Sequence, residues 1–199
     1  PLRAVCDIGH DIGLEVFGSY RRMTVRMPPF VFPIHPDALF ERRPDLRCVG
    51  PKGEMVPHLS LACPEVRERM ISIMAEQAEN YEIDGIHNFF CRGMPFVYYE
   101  KPLLEHCREL RTALDRAGDQ RGKRIKVAMH VLNNPRVCHY FGIDVETMIR
   151  EQLVDILLPG RGHFFPEALG EDRHTTPESM TEFCRLAEGS NTKIVAAWE

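Results

Sequence analysis

What most limits the folds open to this chain is the repeated alternation of short apolar runs with helical segments. Six stretches read as strands, at residues 14–20, 57–62, 83–90, 125–131, 154–158 and 193–198. They are brief, rich in β-branched or aromatic residues and bounded by turn residues, and the segments between them carry apolar residues at helical spacing. Apolar strands separated by helices belong to parallel sheets, so the chain reads as α/β. The most informative stretch runs from Tyr81 to Arg92, with its apolar part at Ile83–Phe90 and a turn at Arg92-Gly93-Met94-Pro95. Asp84, His87 and Asn88 interrupt it, and a buried strand keeps such groups only if they are hydrogen-bonded or face something polar. Asp84-Gly85 reads as the opening of the strand. His87 and Arg92 are site candidates, with a satisfied core histidine as the plain alternative for His87.

The helices carry their own start and stop signals. Leu2, Val5, Ile8 and Ile12 share a helical spacing, and Gly13 stands where a C-terminal glycine belongs. Pro64-Glu65 opens a helix that runs to about Asn80, and Thr176-Pro177-Glu178 opens the last one. Pro102 starts a helix with Leu103, Leu104, Cys107, Leu110 and Leu114 inward, ending at Gly118, and Asp144 caps another. A short helix follows Asn133-Asn134-Pro135 as far as Tyr140. Between Thr24 and Met55, Pro28, Pro29, Pro33, Pro36, Pro44 and Pro51 exclude a long helix or central strand and leave room for one short helix at 36–43. A long irregular insertion of that kind is more often functional than accidental.

Composition sets the outer bounds. A chain of 199 residues, 44% of them hydrophobic, builds one sizeable core as a single domain over 1–199. A net charge of −4 gives no footprint for nucleic acid or a membrane surface, and no apolar run approaches a membrane span. The seven cysteines lack any C-x-x-C pair, which favours reduced thiols over a zinc site or a disulfide framework. No signal-peptide core is visible, but the chain begins at Pro1 rather than Met, so the compartment stays open. The sequence does not set the oligomeric state.

Two α/β architectures fit this alternation, a doubly wound sheet and a (β/α)8 TIM barrel. No G-x-G-x-x-G or G-x-x-x-x-G-K-[ST] follows a strand, so nucleotide-binding sheets lose support and no cofactor is expected. A barrel needs eight strands and about 250 residues. With six strands, a helix first and a strand last, the simplest account is a barrel truncated at both ends.

Leu59-Ser60-Leu61-Ala62-Cys63-Pro64-Glu65-Val66-Arg67, followed by Tyr81-Glu82-Ile83-Asp84-Gly85-Ile86-His87, resembles a pattern in bacterial glycoside-hydrolase-like barrels, the family 10-like glycosylhydrolases. The likeness continues through Asn88-Phe89-Phe90-Cys91-Arg92-Gly93, Tyr98-Tyr99-Glu100-Lys101-Pro102 and Val154-Asp155-Ile156-Leu157-Leu158-Pro159-Gly160. It covers most of the chain and implies that these strands are the second to the seventh of a barrel. Many relatives carry a carboxylate two residues after the fourth-strand His or Glu. This chain has Phe89 there.

In such barrels the chemistry sits at the C-terminal ends of the strands. Glycoside hydrolysis by the common route needs two carboxyl groups, one an acid and the other a nucleophile or base. Glu199, after the last strand, and Glu100, after the fourth strand of the implied barrel, are the expected pair. Arg22, Arg92 and Arg161 stand at three strand ends, and guanidinium forks converging on one mouth suit an acidic carbohydrate. His87, Tyr99, His130 and Trp198 complete the expected substrate-binding set. Each has a plainer alternative: helix-terminal charge for Glu100, a frayed end for Glu199, packing for Tyr99 and Trp198, and arginines that pair with the two acids. Asp155 reads as a structural residue that pairs where its strand opens. The competing functions are a non-catalytic carbohydrate-binding barrel and a metal-dependent barrel hydrolase. The latter would need clustered His or carboxylate ligands, as in an H-x-H on a first strand that lies outside this sequence. No metal ligands are assigned.

Overall fold

The computed structural model describes residues 1–21, 39–50, 52–53, 55–89, 100–160 and 175–197. Along the chain these form α1 (Leu2–Asp11), β1 (Phe17–Arg21), α2 (Leu39–Arg42), a 3-10 turn (Pro44–Leu46), β2 (Arg47–Val49) and β3 (Met55–Leu59). Then come α3 (Pro64–Asn80), β4 (Gly85–Phe89), α4 (Glu100–Arg121), β5 (Lys126–Leu132), α5 (Pro135–Tyr140), α6 (Val145–Arg150), β6 (Ile156–Gly160), α7 (Pro177–Ala187) and β7 (Lys193–Ile194). The central sheet has five strands in the order β1-β4-β5-β6-β7, and every pairing in it is parallel. With an α-helix before each strand of the sheet, this is the βα alternation anticipated from sequence.

One expected strand is placed differently. Residues 57–62 do not stand between β1 and β4, which pair directly with each other. Residues 55–59 instead pair antiparallel with β2 in a separate two-stranded sheet. Pro57 supplies the reason, since a proline offers no N–H to a ladder and is unsuited to the centre of a sheet. The described part of the barrel therefore holds five parallel strands rather than six.

Among the described residues, three helix starts are fixed by side-chain caps. Asn134 accepts from the Arg136 N–H, and Asp144 from that of Thr147. Thr176 and Ser179 exchange both bonds of a capping box. At the end of α1 the Gly13 N–H donates to the His10 carbonyl (2.9 Å) and the Leu14 N–H to that of Gly9 (2.8 Å). That Schellman motif needs a left-handed residue, and Gly13 takes it with φ 77°. Helix α4 runs through Gly118 and ends before Gly122, which is the left-handed glycine (φ 62°).

Burial divides the sheet into two faces. Ile83, Ile86, Val127 and Met129 are inaccessible, as helix-covered parallel strands require, and belong to the core under the helices. Ile156, Leu158 and Ile194 are only partly buried, and Val195 is 46% exposed. Ile156, Leu158 and Val195 share the other, concave face with Phe17, Ser19 and His87, which no described helix covers. Ile194 lies on the edge strand. Asn88, on the helix side, is accounted for by His106 of α4, whose Nε2 lies 3.4 Å from its amide nitrogen.

Arginines, two of them buried and Arg121 partly so, lock the helical layer. Arg67 joins Glu109 and the Leu61 carbonyl. Arg111 joins Asp115, Asp155 and the Ile125 carbonyl, and Arg121 joins Glu82 and the carbonyls of Ala78 and Ile83. In each case a guanidinium fork satisfies a loop carbonyl and a carboxylate at once.

Candidate functional site

The parallel register decides which side chains meet on the concave face. Ser19, His87, Ala128 and Ile156 stand level across β1, β4, β5 and β6. One step towards the C-terminal ends, Phe89, His130 and Leu158 form the next row. With Phe17 and Val195, the first row and Leu158 line a cleft of about 330 Å³.

His87 and His130 are therefore brought together, as two of the expected substrate-binding residues. Their ring centroids are 6.5 Å apart. The Ser19 hydroxyl lies 3.2 Å from His87 Nδ1, and His87 Nε2 is buried with no hydrogen-bond partner among the described residues. Burial pushes the His87 pKa below its ordinary value, favouring the uncharged imidazole. His130 is 5% exposed, and Phe89 meets it edge-on at 4.5 Å. Position 89, where the sequence resemblance implied a carboxylate in relatives, holds an apolar ring packed on a histidine. One row nearer the mouth on β6 lies Gly160, where a β-carbon would come within 2.9 Å of His130 Nε2.

The opposite, N-terminal end of the sheet is charged and structural. Asp84 accepts from the Val16 N–H (2.6 Å) and pairs with His10 and Lys123. Burial pushes its pKa up, but the bonds from Lys123, Val16 and His10 outweigh that and hold it at about 2. Asp155 has the equivalent place two strands on, accepting from the Val127 N–H (2.8 Å) and pairing with Arg111 and Arg124. Both aspartates have the strand-opening, structural role expected of them.

Glu100 is the first residue of α4. The remaining candidates, Arg22, Arg92, Tyr99, Arg161, Trp198 and Glu199, lie outside the described residues. In sequence, Arg22 and Arg161 directly follow the last residues of β1 and β6. Among the described residues no group of three or more His, Cys, Asp or Glu is arranged to hold a metal, and no helix is long and apolar enough to cross a membrane.

Comparison with solved structures bears on this arrangement through the fold. The chitinase ChiW from Paenibacillus sp. str. FPU-7 superposes on 96% of this chain with a TM-score of 0.55 at 14% identity, over 21% of its own length. The C-terminal domain of a Desulfitobacterium hafniense DCB-2 protein gives a TM-score of 0.54 at 14% identity, over 98% of this chain and 49% of that one. The fold is a TIM barrel. A family 18 chitinase variant from Cycas revoluta, in complex with (GlcNAc)4, matches 68% of this chain and 42% of its own, with a TM-score of 0.50 at 17% identity. The chain thus spans between a fifth and a half of the length of these structures. No protein-family model matches the chain, and no curated protein matches it in sequence.

Within the barrel frame, His87 sits at mid-depth of the sheet, and Phe89, His130 and Gly160 stand at the mouth where barrel chemistry is placed. Ser19 was not among the residues expected to build the site. Ser19 alternates with Phe17 on β1, a signal that is readable only once the register to β4 is known.

Proposed function

We propose that this chain supplies much of the barrel of a glycoside hydrolase, with its site at the C-terminal mouth of the sheet. The observation that carries the reading is the parallel arc itself, which aligns along nearly the whole chain with a chitinase barrel. It is a fold-level argument, and the chemistry must come from residues of this chain. Asp84 and Asp155, the aspartates that open β4 and β6, are held in ion pairs at the far end and are unsuited to catalysis. Glu100, which opens the helix after β4, and Glu199, beyond β7, are assigned as the acid and the nucleophile or base because each follows a strand of the parallel sheet. Arg22, Arg92 and Arg161 follow the ends of β1, β4 and β6 in sequence, which favours an acidic sugar in the same mouth. Tyr99 and Trp198 add aromatic surface for a sugar ring.

The test uses the full-length polypeptide, assayed on aryl glycosides, (GlcNAc)4 and a uronic-acid oligosaccharide. Glu199→Gln keeps shape and removes charge, so kcat should fall by a factor of about 100 or more while KM changes little. Arg92→Lys should weaken binding of the uronic-acid ligand and leave the neutral one unchanged. Wild-type turnover in Glu199→Gln would overturn the assignment of the acids. A second reading, a carbohydrate-binding barrel without turnover, is favoured by Phe89 at the position of a carboxylate. Tight binding with no hydrolysis by the wild type would select it.

A further inference from the structure

A glycine at the end of a barrel strand is explained either by backbone conformation or by space. The φ of Gly160 is outside the left-handed region, which Gly13, Gly53, Gly122, Gly142 and Gly189 occupy, so conformation does not require it. Space does. A β-carbon at position 160 would lie 2.9 Å from His130 Nε2, 3.1 Å from His130 Cε1 and 2.8 Å from the Ala197 β-carbon. Separations under 3.0 Å between such atoms force something to move. Ala197 has little freedom to do so, because its N–H donates to the Pro159 carbonyl at 2.9 Å. The imidazole is the part that can turn, yet the ring of Phe89 meets it edge-on at 4.5 Å.

We propose that Gly160 is a positioning residue: its missing side chain is the seat of His130, and filling that seat turns the imidazole away from the barrel mouth. The catalytic consequence rests on the glycosidase reading above; the seating of the ring does not. A ring clamped between Phe89 and the backbone of β6 has one orientation, and it presents the same edge to whatever binds above it. Gly160 then governs activity without touching substrate, because displacing one contact group by about 1 Å can cost up to about 100-fold in rate.

The experiment compares Gly160→Ala, His130→Ala and the double variant in the full-length polypeptide. Two readouts are used: the imidazole resonances of His130 in a histidine-labelled NMR sample, and kcat and KM on the best glycoside substrate. Gly160→Ala should shift the His130 signals and lower kcat/KM by about tenfold or more. In the His130→Ala background the same substitution should cost clearly less activity, because the imidazole it displaces is gone and only the contact with Ala197 remains. Unchanged His130 resonances in Gly160→Ala, or an equal loss in both backgrounds, would overturn the proposal. If Gly160→Ala alone fails to fold, recovery of the fold in the double variant supports it, and failure of both overturns it. If the wild type hydrolyses no glycoside, the resonances still decide the seating of His130, while the glycosidase reading fails separately.

Discussion

Phe89 meets His130 edge-on, with ring centroids 4.5 Å apart and planes inclined at 70°. The contact joins β4 to β5 at the mouth, because the parallel register sets the two residues directly opposite each other. An aromatic edge against a ring face is favourable beyond the area it buries. Phe89→Ala removes that contact from a site 8% exposed, so the loss should be about 3 kcal/mol by chemical denaturation. Phe89→Asp tests a different point. It puts a carboxylate into a setting built for a ring. A desolvated carboxyl there should titrate above its ordinary range and destabilise the chain further than alanine does. Equal stability of the Asp and Ala variants would show that position 89 still tolerates a charge.

Asp155 gathers three donors. Its Oδ2 accepts from the Val127 N–H at 2.8 Å and from Arg111, and its Oδ1 accepts from Arg124 at 2.8 Å. Arg111 is 6% exposed. Removing the acid takes one of the two carboxylates from the buried Arg111, which keeps Asp115, and leaves the Val127 N–H short of a partner, so Asp155→Ala should cost about 2 kcal/mol. Arg111→Met replaces the cation by an apolar chain of similar reach, and Asp155 keeps Arg124 and Val127. The loss should then be nearer about 1 kcal/mol. Urea titrations of both single variants and of the double variant give the coupling directly, and a larger loss for Arg111→Met would reverse this account.

Local chemistry was legible in the sequence, and long-range placement was not. Asn134, Asp144 and Thr176 cap their helices because a side-chain oxygen beside a helix start has one nearby use. Asp84 and Asp155 were recognisable because a lone acid just before an apolar run is best used at the strand's opening. Which strands become neighbours was harder, and residues 57–62 show why. An apolar run names a strand but not its sheet, and only Pro57 hinted that this one was unsuited to the centre. The site follows the same rule. His87 and His130 were visible as polar residues in apolar strands. The partnership of His87 with Ser19, 68 residues away, and the seat of His130 on Gly160 depend on register, which sequence spacing does not encode.

His87 gives a pH dependence in the mildly acid range. Burial lowers its pKa from 6.5 in the folded chain. As pH falls below that value, the unfolded chain takes up a proton that the folded chain refuses, so stability declines until the folded-state pKa is passed. Above the unfolded value both states are neutral and the residue contributes no slope. His87→Gln removes this proton uptake while keeping a polar side chain opposite Ser19. The drop in urea midpoint between about pH 7.5 and about pH 5 should therefore be smaller in the variant than in the wild type. An identical drop in both proteins would mean that His87 is protonated as readily in the fold as outside it.

Asp84 acts in a lower window and with the opposite sign of charge. Burial alone would raise its pKa, but Lys123, the Val16 N–H and His10 bring it from 3.8 down to about 2. The folded state therefore favours the carboxylate. The stabilisation is fully present above the unfolded value and is lost as pH falls through the folded one. A shift of that size at a site 6% exposed corresponds to about 2 kcal/mol, all of it available at neutral pH. Asp84→Asn keeps the shape and an acceptor for the Val16 N–H, but it gives up the charge that Lys123 meets. At pH 7 the variant should be less stable than the wild type by about 2 kcal/mol. Between about pH 4 and pH 2 the gap should close, because the wild type is then losing the same interaction. Denaturation curves at those three pH values decide the matter, and a gap that stays constant down to pH 2 would place the stabilisation in packing rather than in the charge of Asp84.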